Sequence, residues 1–309
     1  MKNSNLESLI SEANSEFQKV AQWMRANRLM LHPEKTKMMI FCNRQKSINL
    51  DLCNIFLDNN DCDALSKDEN LIKPVECLNR RKIPSFKLLG LIMDPHLSFN
   101  CHLSHLAGKL SKSLYLLISV KNLLPTSALL TLYYSLFHSH LYYALPAYGC
   151  AERTSLNQLF LLQKKAVRLI SGSHYNSHTD PIFKKMGILK LFDLIDYSKI
   201  DFMHSVSKGK SPKSFSETWD GVQDAEDSFY LNLRNYLDFK VPFPRLHFSE
   251  RLPLHSFPKA WNDQLDNEFK SISNKNEFRL ELKKLFIDRL PATVQCTNAF
   301  CRDCFSSSI

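Results

Sequence analysis

From Asn122 to Ala151 the chain carries no Lys, Arg, Asp or Glu. No other feature limits the fold as strongly, because so long an uncharged run must be buried, in a protein core or in a bilayer. Pro125, Pro146, His138, His140 and many Ser, Thr and Tyr weigh against the bilayer. A helix buried in a protein core is therefore expected, with no membrane partner. Pro125 suits a helix start, and Leu129, Leu132, Tyr133, Leu136 and Phe137 then fall on its inward side.

The flanks of this run have the same character. Leu103, Leu106, Leu110, Leu114 and Leu117 make one apolar stripe at helical spacing. Leu156, Leu159, Phe160, Gln163, Ala166, Val167 and Ile170 make another, ending near Gly172. Three stripes on adjacent helices with short connections predict a small bundle.

Upstream, Ser4 to Met24 reads as an amphipathic helix with Leu6, Leu9, Ile10, Ala13, Phe17, Val20, Ala21 and Met24 on one face. Ser4 and Glu7 have capping-box spacing, and Asn27 and Pro33 bracket the exit. Lys37 to Cys42 is a predicted strand, with Ile48 to Leu57 as its hairpin partner. Asp58 to Lys82 reads as a loop. Phe86 to Met93 is a second apolar strand, broken at Gly90 and ended by Asp94-Pro95. Downstream, Ile182 to Ser207 supplies one or two helices, Lys208 to Pro253 reads as irregular, and Asn276 to Leu290 as a final helix. The expected fold is α+β and predominantly helical. A small antiparallel sheet in residues 1–95 precedes a helical bundle in 96–175 and a mixed C-terminal region in 176–309.

The chain holds 40 Lys and Arg against 31 Asp and Glu, a net +9. That mild bias suits a polyanion, with a solvated surface as the equal alternative. Lys164, Lys165 and Arg168 lie opposite the apolar stripe of their helix, and Lys109 and Lys112 opposite theirs. Such clusters neutralise phosphates without reading sequence, or simply face water. Tyr133, Tyr134, Tyr142 and Tyr143 could stack on bases, although an uncharged helix favours their burial.

Nine cysteines are scattered along the chain, and no secretory segment follows Met1. This reads as an intracellular chain with reduced thiols, nucleus and cytoplasm both remaining open. Cys296, Cys301 and Cys304 place three soft ligands close together, one short of a structural zinc site, with His255 the nearest upstream histidine. Free thiols are the favoured reading and zinc the weaker one. Cys101, His102 and His105 share helical spacing, but surface histidines are commoner than metal sites.

Several segments, in order, carry a resemblance. Leu29 to Phe41 resembles the segment that follows the catalytic strand in non-LTR retrotransposon polymerases. Phe86 to Phe99 resembles their next hairpin and the start of the thumb, and Phe99 to Leu124 the first thumb helix. Leu129 to Tyr148 resembles the Leu-Tyr-x-Ser-Leu…Tyr…Tyr-Gly stretch, and Gln163 to Arg168 the Gln-Lys-x-Ala-x-Arg helix. Trp261-Asn262, preceded by Pro258, resembles a late Pro-x-x-Trp-Asn motif. Jockey-like elements are the group most resembled.

The resemblance implies the C-terminal part of an RNA-directed DNA polymerase: the end of the palm in 1–95, the thumb in 96–175 and the region beyond. It implies that Lys35 approaches the leaving pyrophosphate, where charge builds during phosphoryl transfer. It departs from the family at His32, where Asn is common. It also implies that the Leu88-Leu89-Gly90 hairpin holds the primer end, Gly90 admitting close backbone approach. The implied partners are an RNA or DNA primer–template and the missing palm and fingers.

Two-metal nucleotidyl transfer needs carboxylates around both ions. The family's Ala-Asp-Asp turn has no counterpart in this sequence, and Asp61 and Asp63 do not match it. No catalytic residue is assigned. Mg²⁺ is implied for the full-length enzyme, and no cofactor is expected on this chain. The expectation is a polymerase fragment inactive on its own. The alternatives are a nucleic-acid-binding thumb module and a helical protein-interaction module.

Overall fold

The computed structural model describes residues 5–32, 36–42, 55–56, 71–72, 85–219, 237–244 and 246–291. The fold is α+β and predominantly helical, with two small antiparallel sheets among the described residues. It divides into two compact units, Met1–Cys101 and His102–Ile309.

In the first unit, α1 spans Leu6–Ala26. Its N-cap is Asn5, whose extended backbone lets Oδ1 accept from the Glu7 N–H at 3.1 Å. The cap expected at Ser4 therefore moves one residue on, and Ser4 itself lies outside the described residues. Ala21 is buried and Leu6, Leu9, Ile10, Ala13, Phe17 and Met24 are half-buried. Val20, expected inward, is 49% exposed. The helix packs on β1 (Ile55–Phe56), a two-residue strand.

Of the expected pairing of Lys37–Cys42 with Ile48–Leu57, residues 48–54 and 57 lie outside the described residues. β1 pairs with β2 (Leu71–Ile72), a strand within the stretch expected to be a loop. In 37–42 only Met38 makes an isolated bridge. The Cys42 N–H donates to the Pro95 carbonyl at 3.1 Å, and the Cys42 carbonyl lies 3.0 Å from His96 Nδ1.

The Phe86–Met93 run folds back on itself. β3 (Phe86–Leu88) and β4 (Leu91–Met93) pair antiparallel, with Leu88 opposite Leu91. Leu89 (φ 47°) and Gly90 (φ 91°) make the two-residue turn, whose positive dihedrals match the twist of the strands. Asp94, 1% exposed, then organises the chain beyond. Its carboxylate accepts from the Ser98 N–H at 3.1 Å and the Phe99 N–H at 2.9 Å. These bonds hold Leu97 (φ 50°) and Phe99 (φ 57°) in left-handed conformations that cost roughly 1–3 kcal/mol each.

The second unit contains α2 (Asn100–Val120), and the expected Leu stripe is its buried face: Leu103, Leu106, Leu110, Leu114 and Leu117 are at most 9% exposed. Burying each contributes on the order of 1.5–3 kcal/mol. The uncharged run forms α3 (Thr126–Leu132), a π-helical segment (Tyr133–His138), α4 (Ser139–Tyr142) and α5 (Leu145–Tyr148). Ala144, at φ 54°, turns the chain between α4 and α5. Among the described residues no helix is long and apolar enough to cross a membrane. α6 (Arg153–Ser171) ends at Gly172, whose φ of 67° lets Gly172 and Ser173 donate back to the Leu169 and Arg168 carbonyls.

α7 (Asp180–Met186) and α8 (Leu191–Ser207) realise the expected 182–207 helices. α8 is the central element, packing on α5, α6, α9 (Lys213–Trp219), α11 (Pro253–Gln264) and α13 (Lys275–Asp288). Its approach to α5 depends on Gly149. A Cβ there would sit 2.7 Å from the Leu145 carbonyl oxygen and 3.1 Å from Ile195 Cγ2. The stretch expected to be irregular holds α9 and α10 (His247–Arg251), and short α12 (Asn267–Ser271) precedes α13. Residues 220–236 lie outside the described residues.

Gln163 is fully buried between these elements. Its Nε2 donates to Tyr133 Oη (3.1 Å) and the Leu189 carbonyl (2.9 Å), and its Oε1 accepts from the Leu191 N–H (2.8 Å). Replacing it by Leu keeps most of the volume but strands three buried polar groups. Gln163→Leu is expected to cost roughly 2–4 kcal/mol, read as a lower urea midpoint at unchanged slope.

The His138 ring stacks on Tyr142, with centroids 5.7 Å apart, and lies tilted by 57° against Tyr134, with centroids 5.2 Å apart. Burial, reinforced by Lys283, pushes the His138 imidazolium down to a pKa of about 4. The unfolded chain therefore takes up a proton near pH 6.5 that the folded chain refuses until about pH 4. Stability should fall as pH drops through that window. Equilibrium urea titrations from neutral pH to pH 4 should show this fall, and His138→Gln should reduce it.

Candidate nucleic-acid interface

The end of α2, the start of α3 and the end of α6 enclose a groove of about 720 Å³. Its floor is apolar because the core stripes reach it: Leu114, Leu129 and Ile170 are buried residues that also line the groove. Its rim is basic, with Lys121 one residue past α2, and Lys165 and Arg168 on the last turns of α6. Asn122, Thr126, Ser171 and Ser173 add amide and hydroxyl groups, and Tyr175 closes one side. Among the described residues no carboxylate lines it. Cations over an apolar floor without counter-charge make a local positive field, the condition for holding phosphates.

Arg168 is fixed by its Nε, which donates to the Ser177 carbonyl at 2.9 Å. Burial lowers the pKa of its guanidinium, while the nearby Tyr175 acts in the opposite direction. Lys164 points elsewhere. Its Nζ lies 4.5 Å from the centroid of the Phe160 ring, and burial lowers its pKa against the pull of Asp180. Lys109 and Lys112 are exposed on α2 outside the groove lining. Of the five basic residues picked out from the sequence, Lys165 and Arg168 thus share the groove. Lys121 and Tyr175 were missed because both sit in connections, where no helical period marks a face. The one available signal was that Lys121 is the last charge before the uncharged run.

Of the four tyrosines, Tyr133 is wholly buried and Tyr143 is 56% exposed, with Tyr134 and Tyr142 on either side of the His138 ring. Leu88 (48% exposed) and Leu89 (84% exposed) sit with Gly90 at the tip of the β3–β4 hairpin in the first unit. Lys35, Asp61, Asp63 and the zinc candidates Cys296, Cys301 and Cys304 lie outside the described residues. Cys42, Cys101 and Cys150 are free thiols, and burial raises the pKa of Cys150. Cys101 and His105 are exposed, whereas His102 is buried with its ring 5.1 Å from that of Tyr148.

Among the described residues no three His, Cys, Asp or Glu side chains are grouped to hold a metal ion. Several carboxylates are held by cations: Asp180 with Lys190 (2.8 Å), Asp196 with Lys199 (3.0 Å), Asp201 with Arg279 (2.8 Å) and Asp238 with Lys270 (2.5 Å). Those four carboxylates are thus already neutralised by cations.

Over 176 residues, 56% of its length, the chain is 27% identical to the RNA-directed DNA polymerase from mobile element jockey of Drosophila melanogaster. Over 114 residues, 36% of its length, it is 32% identical to the jockey polymerase of Drosophila funebris. The matched stretches cover 17% and 12% of those proteins, so the chain spans less than a fifth of the curated relatives it matches. No family model matches the chain. No solved structure matches it either. The likeness to jockey-type non-LTR retrotransposon polymerases is thus shown over part of this chain.

Proposed function

We propose that this chain, similar over half its length to jockey polymerases, is a part of such a polymerase that grips nucleic acid and does not itself carry out nucleotidyl transfer. The observation that carries the reading is the groove at the α2–α3–α6 junction, where Lys121, Lys165 and Arg168 stand over an apolar floor with no carboxylate among the described lining residues. The lack of an Ala-Asp-Asp turn in this sequence supports the second half of it.

On this reading residues 1–95 are the end of the palm, 96–175 the thumb and 176–309 the region beyond. Mg²⁺ chemistry belongs to palm and fingers supplied by other sequence. Lys35 would face the leaving pyrophosphate, and the Leu88-Leu89-Gly90 hairpin the primer end. Lys109, Lys112 and Lys164 would add to the field around the backbone. A helical protein-interaction module is the second reading, favoured by the exposed Tyr115, Leu116 and Leu123 along and just beyond α2.

The test is binding of the full chain to a labelled primer–template across a salt series. Affinity should fall steeply with salt. Lys121→Ala, Lys165→Ala and Arg168→Ala should each flatten the log–log slope by roughly one phosphate contact. No primer extension should occur with Mg²⁺ and nucleotides. Extension by the purified chain would overturn the catalytic half of the proposal. Binding that ignores both salt and the three substitutions would overturn the other half and favour the interaction module.

A further inference from the structure

We propose that the groove takes a single strand of nucleic acid, with an unstacked base lying on Tyr175 and its phosphates along Lys121, Lys165 and Arg168. This rests on the reading that the groove binds nucleic acid, and it names the form bound.

The shape of the site decides between single strand and duplex. A double helix offers phosphates on a convex cylinder and keeps its base faces stacked inside. It has nothing to place in an apolar concavity. A single strand presents both kinds of surface at once: charged backbone to a basic rim, and flat apolar base to a hydrophobic floor or an aromatic ring. At about 720 Å³ the groove lies within the range of small-ligand pockets, roughly 300–1,000 Å³.

Tyr175 supplies the ring. It is 73% exposed although it lines the groove. Its loop is held at both ends. Upstream, Gly172 and Ser173 donate to the end of α6, and Ser171 Oγ donates to Ser173 Oγ at 2.7 Å. Downstream, Ser177 N–H donates to the His174 carbonyl at 3.0 Å, and the Ser177 carbonyl accepts from Arg168. A ring on such an anchored turn, beside a fixed guanidinium, is preorganised for stacking and loses little freedom on binding. An acidic peptide would also meet the basic rim, but its carboxylates make no use of an exposed aromatic face.

The experiment measures anisotropy of the full chain with a fluorescein-labelled oligouridine and with a blunt RNA–DNA duplex of equal length, at low salt. The single strand should bind at least about tenfold more tightly. Tyr175→Ala should weaken the single strand by at least about fivefold and leave the duplex unchanged, while Tyr175→Phe should retain single-strand binding. Equal or tighter duplex binding overturns the inference, as does a silent Tyr175→Ala or displacement of the strand by polyglutamate of matched charge. Duplex-preferring binding that is lost on changing Lys121, Lys165 and Arg168 together to Ala sinks this inference alone. Absence of binding to either probe sinks both it and the proposed function.

Discussion

Gln163 is the point on which the second unit depends. A buried amide with no partner would cost more than a hydrogen bond contributes, so its position is tolerable only when every polar group around it is aligned. Here one side chain ties three elements together: α6 on which it sits, the π-helical segment through Tyr133, and the approach to α8 through Leu189 and Leu191. Apolar stripes alone would let these helices slide or rotate against one another at modest cost. The amide specifies one arrangement. It therefore also positions α6, whose far end carries Lys165 and Arg168 into the groove.

The C-terminal part repeats this strategy with other residues. Trp261 Nε1 donates to the Leu237 carbonyl at 3.0 Å, and the Asn262 amide both accepts from and donates to the backbone of Phe239. The Trp-Asn motif thus clasps an extended segment that has no helix or sheet to satisfy it. Lys270, 2% exposed, pairs with Asp238 in the same segment. Around α8, Arg279 makes a bidentate contact with Asp201, and His204 donates from Nε2 to the Ile272 carbonyl while stacking on Phe278. Burial lowers the His204 pKa, in keeping with a neutral ring in that position. A buried ion pair contributes less to stability than to arrangement, because desolvation offsets most of its attraction. Taken together, these contacts hold the last helices against α8.

Much of this was legible in the residue order. The Leu103–Leu117 stripe and the helix end at Gly172 follow from periodicity, whereas the uncharged run buries only one face, with Leu129, Tyr133, Phe137, Leu141, Leu145 and Tyr148 inside and residues 122–127 exposed. The break at Gly90 was readable because few residues tolerate a left-handed backbone as well as glycine does. The hairpin over Leu88-Leu89-Gly90 was implied only by the resemblance, since the apolar run from Phe86 to Met93 reads as one strand. The pairing of β1 with β2 was not readable, since Leu71–Ile72 lie in the polar stretch from Asp58 to Lys82 that reads as a loop. Gln163 stood within a stripe and a motif, but its three partners lie 26–30 residues away.

By itself the sequence determined which faces are buried and that the chain is mostly helical, because burial and periodicity are local properties. It also bore the likeness to jockey polymerases, which depends on order alone. Only the tertiary structure decided which cations act together. Lys164 and Lys165 are neighbours in the chain, yet one lies over Phe160 and the other opens on the groove with Lys121. A charge gains its meaning from the field of residues distant in sequence, and no period in the chain encodes that field.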